Sequence, residues 1–124
     1  MGESALFVGW GGIYPGRERF ARETFGKWTE VLEELKAAGE IERFETVLLG
    51  PHGGELVGFT LVYGLPEKLA TLPMREDLHR LQVRATLDHA KFSVIWAMTG
   101  DAVEREFQLF DETVLEYERE PALV

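Results

Sequence analysis

The chain has 124 residues, 45% hydrophobic and 28% charged, a composition typical of one globular domain. Its 22 acidic residues outnumber its 13 basic ones, and a net charge of −9 argues against nucleic-acid or anionic-membrane partners. The sequence has no cysteine, which excludes disulfides, thiolate chemistry and cysteine-ligated metals and favours a reducing cytoplasm. No stretch approaches the roughly 20 apolar residues of a membrane helix, and the first residues lack the basic start of a signal peptide.

The first predicted strand covers residues 5–13, which are too few and too rich in glycine for a helix. Both faces of this strand carry apolar side chains, as expected for a strand that is covered on both sides. Its glycines leave room for a close backbone, a bulge or a ligand, and they are Gly9, Gly11 and Gly12.

A helix is predicted over residues 19–38, because apolar side chains recur there at spacings of 4, 3, 4 and 3. The stripe consists of Ala21, Phe25, Trp28, Leu32 and Leu35. Gly39 is a suitable residue to end this helix. Burying the stripe should be decisive for folding, since each large apolar side chain contributes about 1.5–3 kcal/mol.

A β-hairpin follows the helix. The second strand is predicted over residues 41–49, and its half-polar start is typical of an edge strand. The glycine-rich turn at residues 50–54 interrupts the pattern and predicts a wide hairpin loop. The third strand runs from Leu56 to Tyr63 and is apolar on both faces, which predicts a central position in the sheet.

The second half of the chain repeats a helix and a strand. After a connection at residues 64–73, with a short helical turn at 67–70, a helix is predicted over residues 74–87. Its apolar positions are Met74, Leu78, Leu81 and Ala85, and Glu76 should pair with Arg80 one turn later. Residues 90–98 can be interpreted as helix or strand, and the β-branched Val94–Ile95 pair favours a strand.

A third amphipathic helix is predicted from Asp101, which could cap it together with Glu104. Its stripe repeats at the same 4, 3, 4, 3 spacing and consists of Val103, Phe107, Phe110, Val114 and Tyr117. We expect the charged residues 116–120 to fray.

The order of elements predicts the fold. A β-α-β-β-α-β order is ferredoxin-like, an α+β fold with a four-stranded antiparallel sheet, helices on one face and here an extra C-terminal helix. We assign residues 1–124 to a single domain. The other sheet face would be apolar and uncovered, and a second copy of the chain is the simplest cover. Either face of the third strand could be the helix side, and we take Thr60 and Val62 as the centre of that interface.

The chain resembles the dimeric α+β barrel superfamily, which includes antibiotic-biosynthesis-monooxygenase-like and haem-degrading enzymes. Three segments are similar to a group of small uncharacterised bacterial proteins of this architecture: residues 9–18 (GWGGIYPGRE), 51–54 (PHGG) and 58–64 (GFTLVYG). The resemblance implies a homodimer formed through one sheet face, and no established activity. Oxygenases of the superfamily are similar in using an Asn beside the substrate. This chain contains no Asn, so a cofactor-free monooxygenase is the less favoured hypothesis.

The candidate ligand-binding residues are the large aromatics of the strands and one histidine: Trp10, Tyr63, His79 and Trp96. Core packing is the alternative interpretation of the aromatics. His79 is a weak candidate for a general base, because we expect its helix to border the cleft between sheet and helices. Neither it nor the other histidines, His52 and His89, has the spacing of a metal motif. Tyr14 and Arg17 could bind an anion, although an ordinary turn is the favoured interpretation.

The sequence therefore predicts a cytoplasmic homodimer that binds a small apolar or aromatic organic molecule in a pocket between sheet and helices. No cofactor or metal is expected, and the sequence leaves open whether the protein is an enzyme. The alternative is a non-enzymatic dimeric module with a structural or protein-interaction role.

Overall fold

The computed structural model describes residues 4–120, in which four strands form one antiparallel sheet. The strands are β1 (Ser4–Trp10), β2 (Arg43–Leu48), β3 (Gly58–Gly64) and β4 (Ser93–Met98). Their order across the sheet is β2-β3-β1-β4. The two strands that are apolar on both faces, β1 and β3, are therefore central, and the polar start of β2 lies on an edge, as predicted.

The helices are α1 (Glu18–Ala37), α2 (Pro66–Thr71), α3 (Glu76–Asp88) and α4 (Asp101–Arg119), with a 3₁₀ turn at Leu72–Met74. This order confirms the predicted ferredoxin-like α+β fold with an additional C-terminal helix. The competing helical interpretation of residues 90–98 is wrong, because β4 pairs along most of its length with β1.

The strand register shows which side chains share a sheet face. Leu6 lies opposite Val62 on β3 and opposite Trp96 on β4, and Val62 in turn lies opposite Phe44. Leu6 and Val62 are buried in one cluster with residues of α1, α2 and α3, so α1 and α3 cover this face. The core lies between this sheet face and the helices.

The predicted stripe of α1 is confirmed. Leu32 and Leu35 are buried against the sheet, and Gly39 ends the helix with a positive φ of 76°. The N–H of Glu40 donates to the carbonyl of Leu35 at 2.9 Å, and the N–H of Gly39 donates to that of Lys36 at 3.1 Å. This is a Schellman motif, which satisfies carbonyls that would otherwise lack partners. The predicted Glu76–Arg80 pair also forms, at 3.0 Å.

The face predicted for a dimer interface was the wrong one. Thr60 and Val62 are 0% and 1% exposed because they point toward α1 and the core. The opposite face, which the helices leave uncovered, carries Phe7 and Leu61 at its centre, with Ile95 opposite Phe7 on the edge strand β4. We call this the open sheet face.

Several element boundaries differ from the prediction. β1 ends at Trp10 because the N–H of Gly11 donates to the carbonyl of Ala90, and a Cβ on Gly11 would lie 2.5 Å from that oxygen. Ile13 forms only an isolated bridge with His89. Met74 was assigned to a buried stripe but is 76% exposed, because it ends the 3₁₀ turn instead of entering α3.

The C-terminal helix α4 has no buried residue. Gly100, with a φ of 58°, occupies the N-cap position, so Asp101 is the first helical residue and caps nothing with its side chain. The helix continues to Arg119. Phe107 and Phe110 of its apolar stripe are 64% and 62% exposed.

Candidate functional site

A cavity of about 570 Å³ lies between the helix-covered face of the sheet and helices α1 and α3, beside the C-terminal end of β1. Most of the side chains around it are apolar, and several are aromatic. The residues that line it include Trp10, Arg22, Phe25, Trp28, Ala85 and His89. We call this part of the sheet–helix interface the open end.

The rest of the same interface is filled, and we call it the packed end. Leu6, Leu32, Val62, Leu72 and Leu78 are all buried there. The cavity that these side chains leave measures only about 10 Å³. The large cavity therefore belongs to one end of the interface and does not reflect loose packing of the whole core.

Trp10 forms one wall of the open end. A Cβ on Gly58, its partner in the β1–β3 register, would lie 3.0 Å from Cζ2 of the indole, so the missing side chain makes space for the ring. The ring of Phe25 meets Trp10 edge-on with centroids 6.0 Å apart, and the His89 ring lies 6.3 Å away. These rings support one another and surround the space instead of filling it.

A second wall comes from α1. This helix begins near the end of β1, so its first half lies level with Trp10 and its second half lies over the packed end. Phe25 and Trp28 are half-buried and line the cavity. The indole N–H of Trp28 donates to Oγ1 of Thr60 at 3.5 Å, a long hydrogen bond that helps to hold the ring against the sheet.

A buried ion pair fixes the turn that leads into α1. Asp88, 1% exposed at the end of α3, accepts two hydrogen bonds at Oδ1 from the guanidinium of Arg17, at 3.0 and 3.2 Å. The hydroxyl of Thr24 donates to Oδ2 at 3.1 Å. The N–H of Tyr14 donates to the carbonyl of Asp88 at 2.9 Å. Because Asp88 engages Arg17 so fully, the structure favours the ordinary-turn interpretation of Tyr14 and Arg17 over anion binding.

The polar side chains that line the cavity come mainly from its helical walls. Glu18 and Arg22 lie on the first turns of α1, and Gln82 and His89 on or just after α3. The amide of Gln82 donates to the carbonyl of Pro73 at 2.9 Å. Nδ1 of His89 lies 3.4 Å from the carbonyl of Ala85. Many small-molecule sites are apolar cavities with a few polar groups.

The four residues predicted to bind a ligand lie in different places. Trp10 lines the cavity, whereas Tyr63, His79 and Trp96 do not. Tyr63 shares the open sheet face with Arg43, whose guanidinium carbon lies 3.7 Å from the centre of its ring. His79 is exposed on α3, away from the residues of that helix that face the sheet. Trp96 is on the edge strand β4 and is 43% exposed.

Sequence reasoning missed several residues that line the cavity: Phe25, Trp28, His89 and Phe92. Phe25 and Trp28 were assigned to the core stripe of α1, and the pattern itself was right. Phe25 lies in the first half of that helix, near the end of β1, whereas Trp28 lies near its middle and contacts both the large cavity and the packed end. Phe92 was placed on the predicted strand at residues 90–98, but β4 begins only at Ser93, so Phe92 and His89 both lie in the connection before it.

Comparisons with known proteins support the fold and do not show a family. No protein-family model matches the chain, and no curated protein matches it. A solved structure from Bacteroides fragilis, described as a dimeric protein of unknown function with a ferredoxin-like fold, is similar with a TM-score of 0.54 and 8% identity. The match covers 77% of this chain and 96% of that protein. Within residues 4–120, no helix has the length and apolar character needed to cross a membrane.

Proposed function

We propose that the protein binds a small apolar or aromatic organic molecule at the open end. The observation that carries the proposal is the cavity of about 570 Å³, walled by aromatic rings, beside an interface that is otherwise filled. Its volume lies within the ~300–1,000 Å³ range of small-molecule sites. A cysteine-free sequence is consistent with the cytoplasm, where we propose that it acts.

A steric block of the cavity tests this proposal. Ala85 is on the face of α3 that lines the open end, and Thr86 follows it on the exposed side of the same helix. We would titrate N-phenyl-1-naphthylamine, a neutral aromatic probe whose fluorescence rises in apolar surroundings, into wild type, Ala85→Phe and Thr86→Phe. Binding should weaken about tenfold or more in Ala85→Phe, because the new ring fills the site, and should stay near wild type in Thr86→Phe. Equal binding to all three would refute the proposal.

We further propose that the protein is a homodimer formed through the open sheet face. The rings of Phe7 and Phe59 stack there with centroids 5.1 Å apart, and Ile95 is 52% exposed beside them. An apolar face of this kind is typical of an interaction surface. The structural neighbour is described as dimeric, which supports the same assembly for this fold.

We propose that the apolar stripe of α4 contacts the same second copy of the chain. The helix follows β4 after Thr99 and Gly100, so it begins directly beyond the edge strand that carries Ile95. A purely structural or protein-interaction role is the second candidate function, because α4 and the open sheet face both present apolar side chains to solvent.

Light scattering after size-exclusion chromatography tests the dimer. Ile95→Glu places a charge on the open sheet face at an exposed position, so the fold should tolerate it while the dimer dissociates. Leu87→Glu is the matched control, since Leu87 is a 61% exposed apolar residue of α3. A monomeric wild type, or an Ile95→Glu variant that remains as dimeric as the control, would contradict the assignment.

A further inference from the structure

We infer that the ligand of the open end is an aromatic molecule that carries an anionic group, and that this group pairs with Arg22 at the mouth of the cavity. The inference rests on the proposed function and specifies the chemistry of its ligand. Among the charged residues around the mouth, some already have partners within the protein and others remain available to a ligand.

Arg22 is the available cation. Among residues 4–120 its guanidinium forms no ion pair, while nearby arginines do: Arg17 with Asp88, and Arg84 with Glu23 at 4.0 Å. The side chain is placed toward the cavity, with its guanidinium carbon 5.9 Å from the centre of the Phe25 ring. A guanidinium presents several N–H donors in one plane and suits a carboxylate or sulfonate.

The Arg22 side chain runs along α1 past Gly26. A Cβ built on Gly26 would lie 3.7 Å from a terminal nitrogen of Arg22. Glycine in a helix interior costs about 0.5–1 kcal/mol relative to alanine. Gly26 is half-buried, and 3.7 Å is an ordinary contact distance, so an alanine there would leave Arg22 in place.

The carboxylates of Glu18 at the mouth and Asp88 near it each accept a hydrogen bond from the protein. Oε2 of Glu18 accepts the N–H of Gly16 at 3.3 Å, and the Asp88 carboxylate is occupied by Arg17 and Thr24. By contrast, the indole N–H of Trp10 has no hydrogen-bond partner within the described residues 4–120. The first turn of α1 also lies at this mouth and contributes a positive partial charge. Trp10 and Arg22 therefore offer a hydrogen-bond donor and a positive charge to a ligand, beside the exposed carboxylate of Glu18.

The global charge of the protein makes the local cation important. With a net charge of −9 the protein as a whole repels an anion, so an anionic ligand needs a specific attraction at its site. Arg22 supplies it next to the apolar walls. The aromatic part of the ligand would contact Trp10, Phe25 and Trp28, and its anionic group would remain at the mouth.

A matched pair of probes tests the inference. N-phenyl-1-naphthylamine is neutral, and 8-anilinonaphthalene-1-sulfonate has the same ring framework with one added sulfonate. We would titrate both by calorimetry into wild type, Arg22→Gln, Arg22→Lys and Arg19→Gln, and subtract binding that persists in Ala85→Phe as binding elsewhere. Arg19 is exposed on the same helix and does not line the cavity, so it controls for the loss of one positive charge.

We expect Arg22→Gln to weaken the sulfonate probe about fivefold and to change the neutral probe less than about twofold. Arg22→Lys should retain most of the affinity for the sulfonate, and Arg19→Gln should behave as wild type. Neutral-probe binding with no selective effect of Arg22→Gln on the sulfonate would overturn the inference and leave the proposed function intact. An equal loss in Arg19→Gln would also overturn it. Failure of the neutral probe to bind the open end would overturn both.

Discussion

Both ends of the sheet–helix interface lie between the sheet and helices α1 and α3, and they differ in how their side chains pack. At the packed end, branched aliphatic residues such as Leu32 and Val62 fill the space and leave a cavity of only about 10 Å³. At the open end, the rings of Trp10 and Phe25 support each other around about 570 Å³. Aliphatic side chains interdigitate, whereas planar rings in edge-on contact form walls. The apolar stripe of one helix can therefore fill the core with some of its residues and line a site with the others.

The largest loss of stability should come from a substitution at the packed end. Leu32→Ala removes a side chain that is 1% exposed and should lower the free energy of unfolding by about 2–5 kcal/mol. Urea unfolding followed by circular dichroism measures it. Leu87→Ala, at a 61% exposed position, should change it by less than about 0.5 kcal/mol. A Leu32→Ala variant as stable as this control would mean that the packed end does not hold the fold together.

The second-largest loss of stability should come from breaking the ion pair beside the open end. Asp88→Asn removes a buried carboxylate that Arg17 and Thr24 both contact, and should cost about 1–3 kcal/mol of unfolding free energy. The cost falls below that of a fully buried pair because the Arg17 side chain is 40% exposed. Asp77→Asn, in the exposed pair with Arg75, should cost less than about 1 kcal/mol in the same unfolding experiment. Equal costs would show that the turn before α1 does not depend on Asp88.

Trp10→Phe should separate binding from folding. A smaller ring leaves the wall of the open end incomplete, so affinity for N-phenyl-1-naphthylamine should fall about three- to tenfold. The unfolding free energy should fall by less than about 1.5 kcal/mol, because Trp10 faces a cavity and is only half-buried. Parallel fluorescence and urea titrations measure the two quantities. A larger loss of stability with unchanged affinity would make Trp10 a core residue.

The smallest changes in stability concern Gly26 within α1 and Gly39 just after it. Gly26→Ala should raise the unfolding free energy by about 0.5–1 kcal/mol, because alanine favours a helix and the new Cβ meets Arg22 only at 3.7 Å. Gly39→Ala should lower it by about 1 kcal/mol, since Gly39 has a φ of 76° although nothing lies within 4 Å of its Cβ position. Thermal unfolding of the two variants provides the comparison. Shifts in the same direction would contradict the assignment of Gly39 as a conformational glycine.

Much of the fold could be predicted because it depends on periodicity. The stripe of α1, the doubly apolar strands β1 and β3 and the glycine at the end of α1 are local patterns with one physical interpretation each. The faces of the sheet were harder, since β3 is apolar on both sides. Nothing in its alternation distinguishes Thr60 and Val62, which face the helices, from Leu61, which does not.

The candidate site could be predicted only in part. Trp10 was found because it is a large ring on a glycine-rich strand. His79 was considered because its helix borders the sheet, but the sequence does not fix which side of the helix turns inward near that position. Leu78, Leu81 and Ala85 face the sheet, and His79 faces solvent. The cavity itself depends on how rings from α1 and β1 meet, which is a tertiary property with no local pattern.

The contrast between the two ends can be measured directly with methyl-labelled protein by NMR during titration with N-phenyl-1-naphthylamine. We expect saturable shifts of the methyl groups that line the open end, those of Val57, Leu81 and Ala85. We expect little change for Leu35, Ile41 and Leu69, which are buried outside the cavity. Saturable shifts confined to Leu61 and Ile95 on the open sheet face, or no shift at the open end under saturating probe, would contradict the claim that this cavity is a binding site.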